Sequence, residues 1–93
     1  MMCTIQVTAQ YYENYSDSNI PYWKPKGGVD FHFPLDADTA FNIPPKVLVE
    51  ALTKMVEERS TDYSRYEYLE HEVKFSNPIV VEGLHEQLMK ELV

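Results

Sequence analysis

The sequence predicts an α+β domain: a three-stranded antiparallel or mixed sheet with two helices, in the order β-β-α-β-α. Three observations carry this reading. Apolar and polar residues alternate with a period of two in three separate stretches, the mark of strands with one buried face. One stretch between positions 46 and 59 repeats its apolar residues at helical period instead. Finally, 93 residues without a long linker or an internal repeat suit one core, so residues 1–93 are read as a single domain.

The first strand runs from Cys3 to Tyr12, with Ile5, Val7, Ala9 and Tyr11 on one side and Thr4, Gln6, Thr8 and Gln10 on the other. From Glu13 to Lys26 the residues become those of turns: Asn14, Ser16, Asp17, Ser18, Asn19, Pro21 and Pro25. A long loop is expected there, closed by Gly27 and Gly28. Alternation resumes from Val29 to Leu35, where Val29, Phe31, Phe33 and Leu35 oppose Asp30 and His32. The segment Asp36–Asn42 reads as a turn or a short capped helical piece, because Asp and Thr compete for free backbone amides. Pro44 and Pro45 then open the main helix, since proline is tolerated in a first turn. Val47, Leu48, Ala51, Leu52, Met55 and Val56 form its apolar stripe, and Glu50 and Lys54 are a favourable pair four apart.

Ser60–Ser64 is the exit turn of that helix. Arg65–Phe75 alternates again, setting Glu67, Leu69, His71, Val73 and Phe75 against Tyr66, Tyr68, Glu70, Glu72 and Lys74. The later members of the first set are expected to face the core. After Ser76-Asn77-Pro78, the residues Ile79–Val81 suit a short edge segment leading into a last helix over Glu82–Leu92. Leu84, Leu88, Leu92 and Met89 give that helix a narrow apolar face. The third strand is left free to pair with either of the first two.

Composition removes several classes of function. A net charge of −7 argues against direct nucleic-acid binding through phosphate contacts. One cysteine, Cys3, excludes an intramolecular disulfide and any multi-cysteine metal site. No apolar run approaches the ~18 residues of a membrane span, and no secretory leader pattern is visible. His32, His71 and His85 lack zinc-ligand spacing, and no nucleophile–base signature occurs, so neither metal, cofactor nor catalysis is expected.

Two features remain as candidate sites. Glu57, Glu58, Asp62, Glu67, Glu70 and Glu72 crowd the helix exit and the third strand, answered only by Arg59 and Arg65. With Tyr66 and Tyr68 beside them, they are a candidate partner-binding surface that substitutes carboxylates for phosphates. The alternative is a ligand site in the aromatic loop. Tyr15, Tyr22 and Trp23 would stack on a nucleotide, while Lys24, Lys26 and the amides of Gly27 and Gly28 held its phosphate. A homodimer is a third possibility, joining the apolar face of the last helix to an exposed strand edge.

The stretch Val7–Tyr15 (VTAQYYENY), followed by Tyr22–Gly28 (YWKPKGG), resembles small accessory proteins of tailed bacteriophages. The resemblance covers about the first third of the chain and carries no catalytic motif. It implies a protein made in the cytoplasm of an infected bacterium. It implies as well a role in disarming a host defence or nucleic-acid-processing protein by binding it. Acidic anti-restriction DNA mimics are among proteins of this kind. No site residue is carried over from the resemblance.

Overall fold

The computed structural model describes residues 1–15, 22–75 and 83–92. Strand β1 spans Met2–Asn14, β2 Trp23–Asp36 and β3 Ser64–Lys74; helix α1 spans Ala37–Asn42, α2 Pro45–Glu57 and α3 Leu84–Leu92. The fold is α+β. Its three strands form one antiparallel sheet in the order β2-β1-β3, so β1 is central. The element order is that expected, with the capped piece after β2 becoming α1. The expected segment Ile79–Val81 and the start of the last helix lie outside the described residues.

Alternation builds the core. Cys3, Ile5, Val7 and Ala9 of β1 are fully buried, together with Phe33 and Leu35 of β2. Helix α2 covers them with Leu48, Ala51, Leu52, Met55 and Val56, while Val47 falls outside this buried stripe and is exposed. Helix α3 inserts Leu88, flanked by Leu84, Met89 and Leu92. The apolar face of α3 is therefore spent on the core, which removes one of the two surfaces that the expected dimer would have joined. Lys54 bonds Glu91 of α3 at 2.9 Å instead of Glu50, tying the two helices together.

Local chemistry sets the element ends. Asp36 caps α1, its Oδ2 accepting from the amides of Asp38 at 3.1 Å and Thr39 at 3.3 Å. Pro45 occupies the first turn of α2 and Pro44 its N-cap. At the other end of α2, Arg59 donates to the carbonyl of Met55 at 2.6 Å. Its guanidinium lies 5.4 Å from the ring of Phe33 and 6.0 Å from that of Phe31.

Two one-residue irregularities reshape the expected pattern. The register steps from Tyr11–Gly27 to Tyr12–Pro25, leaving Lys26 as the extra residue beside Gly27, whose φ of +113° few side chains would permit. Lys24–Gly28 is thus strand rather than loop, and the hairpin arms extend to Asn14 and Trp23. The register on the other side steps from Thr8–Glu70 to Ala9–Tyr68, leaving Leu69 extra. Before this bulge Tyr66 and Tyr68 face the helices; after it, His71 and Val73 do. Of the later residues expected to face the core, His71 and Val73 do and Phe75 is exposed, while before them the inserted residue inverts the alternation.

Leu52→Ala is expected to cost about 2–5 kcal/mol in chemical denaturation, since Leu52 is fully buried at the centre of the helix–sheet contact. Thr4 is 5% exposed, and among the described residues its Oγ1 finds no hydrogen-bond partner. Thr4→Val keeps the branched shape and removes that unsatisfied group, so it should raise stability by about 1 kcal/mol in the same measurement.

Candidate functional site

The face of the sheet opposite α2 and α3 is the candidate site. Gln6, Thr8, Gln10 and Tyr12 of the central strand point to it, because their odd-numbered neighbours fill the core. The antiparallel register sets one partner on each side of them. Thr8 lies between Asp30 and Glu70, Gln6 between His32 and Glu72, Gln10 between Gly28 and Glu67, and Tyr12 between Pro25 and Arg65. Asp30, His32, Glu67, Glu70 and Glu72 are all exposed. Four carboxylates therefore share one open surface with two cations, Arg65 and Lys74, near its two ends.

Few of these acids are neutralised. Lys74 approaches Glu72 only to 3.9 Å, with both groups largely in water. Thr8 donates its hydroxyl to Asp30 at 2.8 Å, and Tyr12 donates to Glu67 at 3.1 Å. That bond from Tyr12 to Glu67 is the main reason the Tyr12 phenol titrates above its ordinary range. Among the described residues, Glu70 has no ion pair. A shallow polar hollow of about 300 Å³ lies between Gln6, Thr8, Glu70, His71 and Glu72.

The remaining acids of the expected cluster divide. Glu57, at the end of α2, lines an open groove of about 520 Å³ with Thr53, Ser60, Arg65, Tyr66, Glu67 and Tyr68. Glu58 accepts from Gln87 of α3 at 2.7 Å, and Asp62 sits in the exposed turn before β3. Tyr66 and Tyr68 do not stand among Glu67, Glu70 and Glu72 as expected. They face the helix side, where Tyr66 stacks on Tyr11 at 5.3 Å and meets the edge of Phe31 at 5.1 Å. The Tyr68 hydroxyl and His71 Nδ1 lie 2.6 Å apart, bracketing the bulge at Leu69.

The aromatic segment is organised differently from a phosphate loop. Ser16–Pro21 lies outside the described residues. Trp23 is on the open face, where the Arg65 guanidinium lies 5.7 Å from its ring and 5.1 Å from that of Tyr12. Tyr11, Tyr15 and Lys26 converge on Glu13 instead. Both phenols donate to its carboxylate, and Lys26 Nζ stands 3.9 Å from it and 4.7 Å from the ring of Tyr15. Gly27 and Gly28 are paired with Tyr11 and Gln10 in the ladder. Of the expected ligand residues Tyr15, Tyr22, Trp23, Lys24, Lys26, Gly27 and Gly28, the structure thus gathers Tyr15 and Lys26 around Glu13 and sets Trp23 against Arg65.

Other chemistry is dispersed. Cys3 is buried and donates its thiol to the carbonyl of Leu35 at 3.2 Å, and burial pushes its pKa up. His85 pairs with the carbonyl of Pro34 at 3.1 Å. Among the described residues no three His, Cys, Asp or Glu side chains are placed to hold a metal ion. No helix among them is long and apolar enough to cross a membrane. No family model, no curated protein and no solved structure matches this chain.

The sequence groups Glu67, Glu70 and Glu72 with Arg65, while Asp30 joins them only through strand order. The signal was present in Pro25 and Pro34. Proline lacks the amide that a central strand must donate, so β2 belongs at an edge and β1 between the other two strands.

The Glu13 cluster makes a pH prediction. The bonds from Tyr15 and Tyr11 hold the Glu13 carboxyl below the usual carboxylate range. A group depressed in this way stabilises the folded hairpin above its unfolded pKa, and the stabilisation fades as pH falls through the folded value. Acidification below about pH 4 should therefore lower the hydrogen-exchange protection factor at Tyr15 before it lowers those at Ile5 or Val7. Glu13→Gln should remove this pH dependence.

Proposed function

We propose that this protein is a non-enzymatic inhibitor that docks its carboxylate face on the basic, nucleic-acid-binding surface of a bacterial defence or nucleic-acid-processing protein. One observation carries the reading: Glu67, Glu70 and Glu72 on β3, with Asp30 across the sheet, are exposed on the same face, opposite α2 and α3. Alternate strand residues repeat every ~6.6 Å. Carboxylates repeated along the strand present a line of negative charge to a basic surface.

The energetics agree with a binding role. Leaving Glu70 and Glu72 side by side with little compensation gains nothing for folding, since like charges on neighbouring positions repel. Glu57 and Glu58 also stand at the C-terminal end of α2, where the helix dipole disfavours acids by about 0.3–1 kcal/mol each. Their long-range effect is favourable for encounter: a net charge of −7 on a chain this short steers it toward a basic partner. The resemblance of the first third of the chain to phage accessory proteins supplies the setting. Within it the partner is a host protein and the compartment the bacterial cytoplasm.

Tyr66 and Tyr68 keep a smaller part in this mechanism than their position in the sequence suggested. They border the groove beside Glu57 and Glu67 rather than the open face. Trp23 and Tyr12, held by Arg65, are the rings on the docking face itself. Both residue types carry large rigid contact area and concentrate at interface hot spots.

The test is capture of the partner from bacterial lysate, followed by competition with duplex DNA. Capture should weaken steeply between low and high salt, and DNA should displace the protein. Combining Glu67→Lys, Glu70→Lys and Glu72→Lys should lower affinity at least ~100-fold, with circular dichroism unchanged. Undiminished capture by that triple variant would overturn the reading.

A further inference from the structure

We infer that the free edge of β3 is a strand-addition site for an extended basic segment of the partner, an inference that rests on the acidic docking proposed above. The two edges of the sheet are not equivalent. Along β2, Pro25 and Pro34 have no amide to offer, and His85 of α3 already occupies the carbonyl of Pro34. Along β3 there is no proline, and among the described residues its only strand neighbour is β1.

The ladder determines which backbone groups face outward. The amide of Asn14 donates to Tyr63, toward β3, and the amide of Tyr15 donates to Tyr22, toward β2. Even-numbered residues of β1 therefore bond to β3, and odd-numbered ones to β2. The β3 residues opposite odd positions are Tyr66, Tyr68, His71 and Val73, and these turn their amides and carbonyls away from the sheet. The amide of Tyr66 confirms the assignment by reaching outward to Ser60 Oγ at 3.3 Å. Ser60 thus closes the beginning of the edge and leaves Tyr68–Val73 for an added strand.

Charge and shape select the occupant. One set of side chains on an added strand would lie beside the row Glu67, Glu70 and Glu72 on the open face. The alternate set would turn toward the groove that Glu57, Tyr66 and Tyr68 line between β3 and α2. A second copy of β3 would bring the same glutamates together and be repelled. Lysines or arginines at alternate positions would instead find carboxylates on one face, with small or β-branched residues directed to the groove. The bulge at Leu69 divides the edge without closing it, because the outward set continues on both sides of it.

A fluorescein-labelled peptide in which lysine alternates with threonine over the length of one strand tests the inference by fluorescence anisotropy. Two controls carry N-methyl groups on one or the other alternate set of backbone amides. One methylated peptide should lose at least ~10-fold in affinity and the other should bind like the parent, since only one set faces β3. Hydrogen exchange with the parent bound should slow at Tyr68, His71 and Val73. Equal binding of both methylated peptides and the parent, with continued loss in the triple lysine variant, would overturn strand addition while acidic docking stands. Binding that ignores both salt and the triple variant would overturn the docking proposal as well. Failure of the parent to bind, or protection of the same amides by self-association without peptide, would also overturn the inference.

Discussion

The central strand β1 donates and accepts backbone hydrogen bonds on both edges while burying Cys3, Ile5, Val7 and Ala9 completely on one face, and the other elements are arranged around that constraint. A strand with two neighbours and one buried face has its register specified twice, because a slip of one residue would turn its apolar side into water. Helices α2 and α3 close the buried face with Leu52, Met55 and Leu88. On the other face Asp30, Glu67, Glu70 and Glu72 are exposed.

Two bulges set what that surface carries. At Leu69 the inserted residue sends Tyr66 and Tyr68 to the helix side while keeping Glu67, Glu70 and Glu72 together on the open side. Without it, uninterrupted alternation would place Tyr66, Tyr68, Glu70 and Glu72 on one face and Glu67 on the other. The second bulge, at Lys26, places this cation next to Tyr15 and Glu13 on the hairpin end. Lys26 and the phenols of Tyr11 and Tyr15 thereby meet at the Glu13 carboxylate.

Charge is distributed accordingly. The cations that do find partners are used to tie elements together: Lys54 joins α2 to Glu91 of α3, Arg59 covers the Phe31 and Phe33 rings, and Arg65 sits against Tyr12 and Trp23. Few are left to balance the acids of β3. An open face with unbalanced carboxylates and an adjoining edge free of proline make recognition of a basic, extended segment a consistent outcome of one architecture. Area on the face, direction along the edge and sign of charge point the same way.

The alternation of Cys3–Tyr12 and Val29–Leu35, the helical stripe of α2 and the cap at Asp36 are local patterns, and each was legible in the sequence because backbone geometry dictates a period. The acidic excess over residues 57–72 was legible for the same reason, as composition. Strand order had a sequence signal in Pro25 and Pro34. The bulge at Leu69 had none, since an inserted residue is tolerated or excluded by the strand it pairs with. What the sequence by itself determined was therefore the class of fold, the buried faces of β1, β2 and α2, and the sign of the surface. Only tertiary structure decided which acids of β3 share a face, that Tyr11, Tyr15 and Lys26 meet at Glu13, and that β1 is the strand beside β3 among the described residues. The faces of β3 are set by its register with β1, between segments more than fifty residues apart along the chain, and no local period encodes that register.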